Sequence, residues 1–137
     1  MAKILIVDDD RATTGLLKTV FEMERFKVVA CPDPRRVIEV MHKEKPDLIF
    51  LDFHLAEMVS LPVLREIKAD PVLKHTAVIM TSGLDRSAEC LEAGADRFVI
   101  KPFRPMALIG EIKALLGQVD SASSPQAVWG TSVNCDE

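Results

Sequence analysis

Five short apolar runs recur along the chain, and most of them are apolar at consecutive positions instead of alternate ones. Such runs are typical of strands that are covered on both faces, as in a parallel sheet. We therefore predict five strands, at residues 3–7, 27–30, 47–51, 77–81 and 97–100.

Between and after these runs, apolar residues recur at helical spacing. Four such stripes are present: Leu16, Leu17, Val20 and Phe21; Val37, Ile38 and Met41; Val63, Leu64 and Ile67; and Leu108, Ile109, Ile112, Leu115 and Leu116. Asp33-Pro34 predicts a helix N-cap followed by proline at the first helical position. Gly117 follows the last stripe and indicates the end of that helix. A further, short helix is predicted within residues 85–93, where Gly94 ends it.

This alternation predicts an α/β fold: a five-stranded, parallel, doubly wound (βα)5 sheet in a three-layer sandwich with right-handed crossovers. The length of 137 residues is that of one domain. We place this domain at residues 1–118. Residues 119–137 are rich in Ser, Ala and Pro in their first half, and we interpret them as a flexible tail or linker.

Charge and composition exclude several classes of protein. The net charge of -4 argues against a direct binder of nucleic acid or of a membrane surface. No apolar stretch reaches the roughly 18–20 residues that span a bilayer, and the N-terminus lacks a signal-peptide pattern. The three cysteines are widely spaced without a CxxC motif, so we expect free thiols and a cytoplasmic protein.

Polar residues stand where the predicted strands end. They are Asp8 and Asp9 after the first strand, Asp52 after the third, Thr81 and Ser82 at the fourth, and Lys101 after the fifth. The carboxyl ends of parallel strands converge, and ligands of such sheets bind there. We therefore expect one site that combines three carboxylates, a hydroxyl and an ammonium group.

Three carboxylates held together need a cation to offset their repulsion. Hard oxygen ligands suit Mg²⁺, which one or two carboxylates usually hold together with a phosphate. A lysine beside the metal can stabilise the oxygens of a phosphoryl group during its transfer. Asp52 can then act as the nucleophile, forming an aspartyl phosphate.

Four sequence segments, "LIVDDD", "LIFLDF", "VIMTSG" and "FVIKPF", stand in this order at the predicted strand ends, and "AGAD" precedes the fifth strand. In sequence and spacing they resemble the receiver (CheY-like) domain of bacterial two-component response regulators. The resemblance covers residues 1 to about 118. It implies a flavodoxin-like fold and a receiver that catalyses only its own phosphorylation and dephosphorylation, not an enzyme with an external substrate.

The resemblance also implies a role for each acid. Asp52 matches the phosphoacceptor, which takes its phosphoryl group from a phosphohistidine of a sensor histidine kinase or histidine phosphotransfer protein. Asp9 matches a direct ligand of Mg²⁺, and Asp8 matches its neighbour, which often acts through water. Asp52 itself and the backbone carbonyl of His54 would complete the protein ligands.

Lys101 matches the lysine that pairs with the phosphoryl group, and Ser82 matches the hydroxyl residue that hydrogen-bonds to it. Counting from Asp52 without gaps favours Ser82, and Thr81 is the alternative. Phe98 matches an aromatic residue that turns inward on activation, although a simple core role is as well supported. The Lys101-Pro102 bond is expected to be cis.

The chain departs from the family pattern after the acceptor strand. Ala56 replaces the usual proline, and Val59-Ser60 replaces the usual Asp-Gly. The segment between Ser82 and Ala93 is about three residues shorter than in typical members. These departures keep a pseudo-receiver, which binds partners without phosphorylation, as the alternative. The output, either a downstream protein or an output domain absent from this chain, is not fixed by the sequence.

Overall fold

The computed structural model describes residues 2–55 and 58–117. Its strands are β1 (Lys3–Val7), β2 (Lys27–Ala30), β3 (Leu48–Asp52), β4 (His54–Leu55), β5 (Met58–Val59), β6 (Ala77–Ser82) and β7 (Arg97–Ile100). Five of them form one parallel sheet in the order β2-β1-β3-β6-β7. The predicted doubly wound α/β fold is thereby confirmed.

The helices are α1 (Arg11–Met23), α2 (Val37–Glu44), α3 (Leu61–Ala69), α4 (Ser87–Glu92) and α5 (Pro105–Leu115), and a 3-10 turn, Pro34–Arg36, precedes α2. Asp10 caps α1 because its side chain accepts a hydrogen bond from the Ala12 N–H. Asp33 caps the 3-10 turn through the Arg35 N–H, so the predicted N-cap is confirmed.

Side chains alternate between the two faces of the sheet and form two separate cores. On one face, Phe50 of β3 meets Phe21 of α1 edge-to-face at 6.5 Å between ring centroids, and α5 adds Leu108, Ile109 and Ile112. On the other face, Leu51 packs with residues of α2, α3 and α4. Strands β1 and β3 are buried throughout or nearly so, because helices cover both of their faces. Their consecutive apolar residues therefore all lie in one core or the other.

A two-stranded antiparallel hairpin of β4 and β5 follows β3 and was not predicted. Strands of two residues are too short for a sequence period to be visible. Ser60, directly after the hairpin, fixes it to β3: its hydroxyl donates hydrogen bonds to the carbonyls of Asp52, at 2.6 Å, and Phe53, at 3.2 Å. The departure from the family pattern at Ala56 lies outside the described residues, as does the predicted tail.

Two of the three cysteines, Cys31 and Cys90, are free and buried, in agreement with the prediction of free thiols. Burial raises the pKa of the Cys90 thiol to about 11. Cys135 lies outside the described residues. Within the described ranges, every helix is too short or too polar to cross a membrane.

Candidate functional site

The polar residues predicted to converge do lie at the carboxyl edge of the parallel sheet. Asp8 directly follows β1, and Asp52 is the last residue of β3. Both are nearly buried, with 4% and 7% of their surface exposed, whereas Asp9 is exposed. Two acids of the site are therefore nearly buried, and the third, Asp9, is exposed to solvent.

Each of the three acids offers a carboxylate oxygen, and these oxygens all lie within 4.8 Å of one another. Lys101, just after β7, reaches two of the acids: its Nζ is 3.2 Å from Asp8 Oδ2 and 3.1 Å from Asp52 Oδ2. With all four groups ionised, one ammonium faces three carboxylates. The cluster then carries an excess of negative charge that a cation can offset.

The pKa values of two groups show this imbalance. The pKa of Asp52 is raised, first because burial disfavours the carboxylate and then because the charge of Asp8 repels it; the hydrogen bond from Lys101 only partly offsets these effects. Burial acts to lower the pKa of Lys101, but hydrogen bonds and charge from Asp52 and Asp8 outweigh it, so that pKa is raised. The charged form of Lys101 is therefore favoured, whereas the charged form of Asp52 is disfavoured by burial and by the neighbouring charge of Asp8.

The donor set fits a hard divalent cation such as Mg²⁺. Three carboxylate oxygens within 4.8 Å are of the type that Mg²⁺ prefers, and exposed Asp9 leaves a side open to ligands from solvent. The proposed metal-binding role of the His54 carbonyl stays a prediction. The His54 backbone N–H hydrogen-bonds to the Asp52 carboxylate, and its exposed side chain packs against the Phe53 ring at 4.9 Å.

The two adjacent hydroxyls at the end of β6 have different surroundings. Ser82 Oγ accepts a hydrogen bond from the Leu84 N–H at 3.2 Å, at the start of the loop before α4. Thr81 is fully buried and stands opposite Asp52 in the register of β3 and β6. Among the described residues, its Oγ1 has no hydrogen-bond partner. Both hydroxyls thus lie at the carboxyl end of β6, and of the two only that of Ser82 has a hydrogen-bond partner among the described residues.

Two further predictions concern the segment that leads to Lys101. Phe98 of β7 is half-buried and packs against the core on the α3 and α4 side of the sheet. Its proposed inward movement stays a prediction. The Lys101-Pro102 peptide bond is cis, as predicted.

Ser60 is the site residue that the sequence did not reveal. It is fully buried, and besides its two side-chain bonds its N–H donates to the Phe53 carbonyl at 2.8 Å. These bonds fix the backbone that carries Asp52 at the start of the hairpin. A serine after "MV" gives no sequence signal of this role, since the role depends on the unpredicted hairpin.

Comparisons with known proteins agree with this geometry. The family model described as "Response regulator receiver domain" matches residues 4–113. The transcriptional regulatory protein CpxR of Escherichia coli (strain K12) is 39% identical over 119 residues, which are 85% of this chain and 50% of CpxR. The chain spans about half the length of the curated relatives it matches.

Solved structures extend the comparison. The signal receiver domain of a signal transduction histidine kinase from Syntrophus aciditrophicus aligns with a TM-score of 0.79 at 29% identity, over 88% of this chain and 93% of that one. The chemotaxis response regulator CheY4 of Vibrio cholerae aligns with a TM-score of 0.78 at 22% identity, over 84% and 98% of the two chains. The second likeness concerns the fold alone.

Proposed function

The chain belongs to the response regulator receiver family. We propose that it accepts a phosphoryl group on Asp52 in a Mg²⁺-dependent reaction, and that this changes the conformation of a surface that its partners bind. The observation that carries this proposal is the position of the Asp52 carboxylate. It lies 3.1 Å from the Lys101 ammonium and within 4.8 Å of two further acids.

Asp8, Asp9 and Asp52 would hold the metal. When bound, Mg²⁺ supplies charge that offsets the acids and the phosphoryl oxygens. One Asp52 oxygen attacks the phosphorus in line, so that an O–P bond forms as the P–N bond of the partner's phosphohistidine breaks. Lys101, already a cation beside the Asp52 carboxylate, stabilises the negative charge on the equatorial oxygens.

Ser82 would respond to the new group. Its hydroxyl accepts a hydrogen bond from the Leu84 N–H, so its own proton is available for a phosphoryl oxygen. A bond of this kind would pull the β6–α4 loop toward Asp52 and displace Phe98 on the neighbouring strand. The phosphoryl group then favours one of two conformations through contacts that only this conformation makes.

The partners follow from the same proposal. A sensor histidine kinase or a histidine phosphotransfer protein would donate the phosphoryl group in the cytoplasm. CpxR is a transcriptional regulatory protein, and the matched region is half of it. The output is accordingly either a downstream protein or an output domain joined to this domain, and this domain itself does not bind nucleic acid. Beyond its own phosphorylation and dephosphorylation it is not an enzyme.

Intact mass spectrometry tests the central step. The protein is incubated with Mg²⁺ and acetyl phosphate, and the expected result is a gain of one phosphoryl group. Asp52→Asn and a metal-free sample should show no gain. Asp47→Asn, the same substitution at the opposite edge of the sheet, should be phosphorylated like the parent protein, because Asp47 instead accepts a hydrogen bond from the Lys3 N–H.

The pseudo-receiver remains the second candidate because of the β4–β5 hairpin. This hairpin stands next to Asp52, where the sequence departs from the family pattern at Val59-Ser60. A folded protein that gains no mass in the presence of Mg²⁺ and acetyl phosphate would support this candidate and exclude the first.

A further inference from the structure

The buried hydroxyl of Thr81 is not used by the reaction proposed above. Thr81 is the register partner of Asp52 on the neighbouring parallel strand, so the two side chains project from the same face of the sheet. The residue is 0% exposed. Within residues 2–55 and 58–117, its Oγ1 neither donates nor accepts a hydrogen bond.

A buried hydroxyl without a partner destabilises the state in which it occurs, and such groups are few in native proteins. Valine has nearly the same shape and would fill this position without that cost. The preceding residues of β6, Val78, Ile79 and Met80, are all apolar and fully buried. The hydroxyl is therefore not explained by packing in the unphosphorylated protein.

Phosphorylation would change the hydrogen bonding at the register partner. Lys101 Nζ now bonds to Asp52 Oδ2 and to Asp8 Oδ2. In the aspartyl phosphate formed through Asp52 Oδ1, Lys101 pairs with the phosphoryl oxygens. Asp52 Oδ2 then becomes the carbonyl oxygen and has lost its ammonium donor.

We propose that Thr81 is a positioning residue that donates its hydroxyl proton to this carbonyl oxygen of phosphorylated Asp52. The bond exists only after the phosphoryl group has drawn Lys101 away, so it stabilises the phosphorylated form over the unphosphorylated one. This inference rests on the proposed function. It assigns to Thr81 a role separate from that of Ser82, whose hydroxyl lies at the β6–α4 loop.

Beryllium trifluoride anion tests this inference, because it adds to a carboxylate as a stable mimic of the phosphoryl group. Its affinity is measured by isothermal titration calorimetry in saturating Mg²⁺. Thr81→Val should bind it about two- to ten-fold more weakly than the parent protein, the effect of one hydrogen bond. The same variant should unfold at a higher temperature without ligand, since the unpaired hydroxyl is gone.

Thr81→Ser and Thr81→Ala form a second pair that differs by the hydroxyl alone. Thr81→Ser should bind the anion more tightly than Thr81→Ala by the same two- to ten-fold, so the inference stays testable even where valine disturbs the fold. Equal affinities within both pairs would overturn it, because a purely structural hydroxyl changes stability but not the affinity. An absence of binding by the parent protein would instead overturn the proposed function.

Discussion

At the amino ends of the parallel strands, Lys3, Asp47 and Asp96 each have a partner, whereas at the carboxyl ends Asp8 and Asp52 share Lys101. Lys3 Nζ lies 3.1 Å from Glu44 Oε1, and the Lys3 N–H donates to Asp47 at 2.8 Å. Asp96 accepts the Val78 N–H at 2.8 Å and lies 3.4 Å from Lys68 Nζ.

At the carboxyl edge, Asp8 and Asp52 both bond to the Lys101 ammonium, and Asp9 adds a third carboxylate beside them. Paired charges stabilise the fold and leave little affinity for an added ion. The unbalanced edge concentrates repulsion that a bound cation or phosphoryl group would change, so the proposed function lies there at some expense of stability.

Adding Mg²⁺ should change the free energy of unfolding more than any of the substitutions below, and the change should depend on the carboxyl edge alone. At about 100 times its dissociation constant, the ion should raise the free energy of unfolding by about 2.7 kcal/mol, since it binds the folded state alone. Urea unfolding with and without Mg²⁺ measures this increase. Asp47→Asn should keep the full increase, and Asp9→Asn should lose most of it. An equal increase in Asp9→Asn would place the ion elsewhere.

Asp96→Ala should lower the free energy of unfolding through the amino edge of the sheet. The variant loses the acceptor of the Val78 N–H and the partner of Lys68, so the free energy of unfolding should fall by about 1–2 kcal/mol. Asp96→Asn keeps an acceptor oxygen and should lose less. Urea unfolding measures both variants, and the increase produced by Mg²⁺ should be unchanged in each. A reduced increase would show that the two edges are coupled.

The bounds of β1, β2 and β7 were predicted to the residue, although each of these strands begins with a basic side chain. The prediction was wrong by one residue at β3, which runs from Leu48 to Asp52 instead of 47–51. Backbone pairing continues to Asp52, opposite Thr81, after the apolar side chains have ended at Leu51. Because Asp52 is charged, a pattern based on hydrophobicity placed the end of this strand at Leu51.

The acids and the lysine of the site were predictable because strand ends converge in a parallel sheet. What the sequence could not show is how the groups share partners. The division of Lys101 between Asp8 and Asp52, and the unpaired hydroxyl of Thr81, depend on register and on distances of a few ångströms. The short hairpin that Ser60 fixes depends on hydrogen bonds to the backbone, for which no side-chain period exists.

Asp52→Asn should stabilise the protein in the absence of metal at neutral pH. Removing this charge relieves the repulsion from Asp8 and Asp9, and the loss of one bond to Lys101 offsets part of the gain, which leaves on the order of 1 kcal/mol. The raised pKa of Asp52 sets the pH dependence. The destabilisation is complete above that pKa and declines as the pH falls from it toward the unfolded carboxyl pKa.

The difference between the parent protein and Asp52→Asn should therefore shrink on acidification and be gone below the unfolded carboxyl pKa of about 4. Urea unfolding at a series of pH values with a chelator present measures it. A difference that grew as the pH fell would mean that Asp52 is stabilised as a carboxylate, and that the edge is not under electrostatic strain.

Glu44→Gln should give the smallest effect, because it removes a partly exposed ion pair at the matched edge. Its Oε1 is 3.1 Å from Lys3 Nζ, with both side chains about a quarter exposed, at 28% and 23%. Such pairs are worth about 0.2–1 kcal/mol, and Lys3 keeps its bond to the Glu44 backbone carbonyl at 2.9 Å. Urea unfolding should show a small loss that salt reduces further, because screening weakens an exposed pair.

The gain expected for Asp52→Asn should survive the same salt better, since Asp52 is nearly buried. If salt removed both effects equally, the burial of Asp52 would not protect its charge from screening.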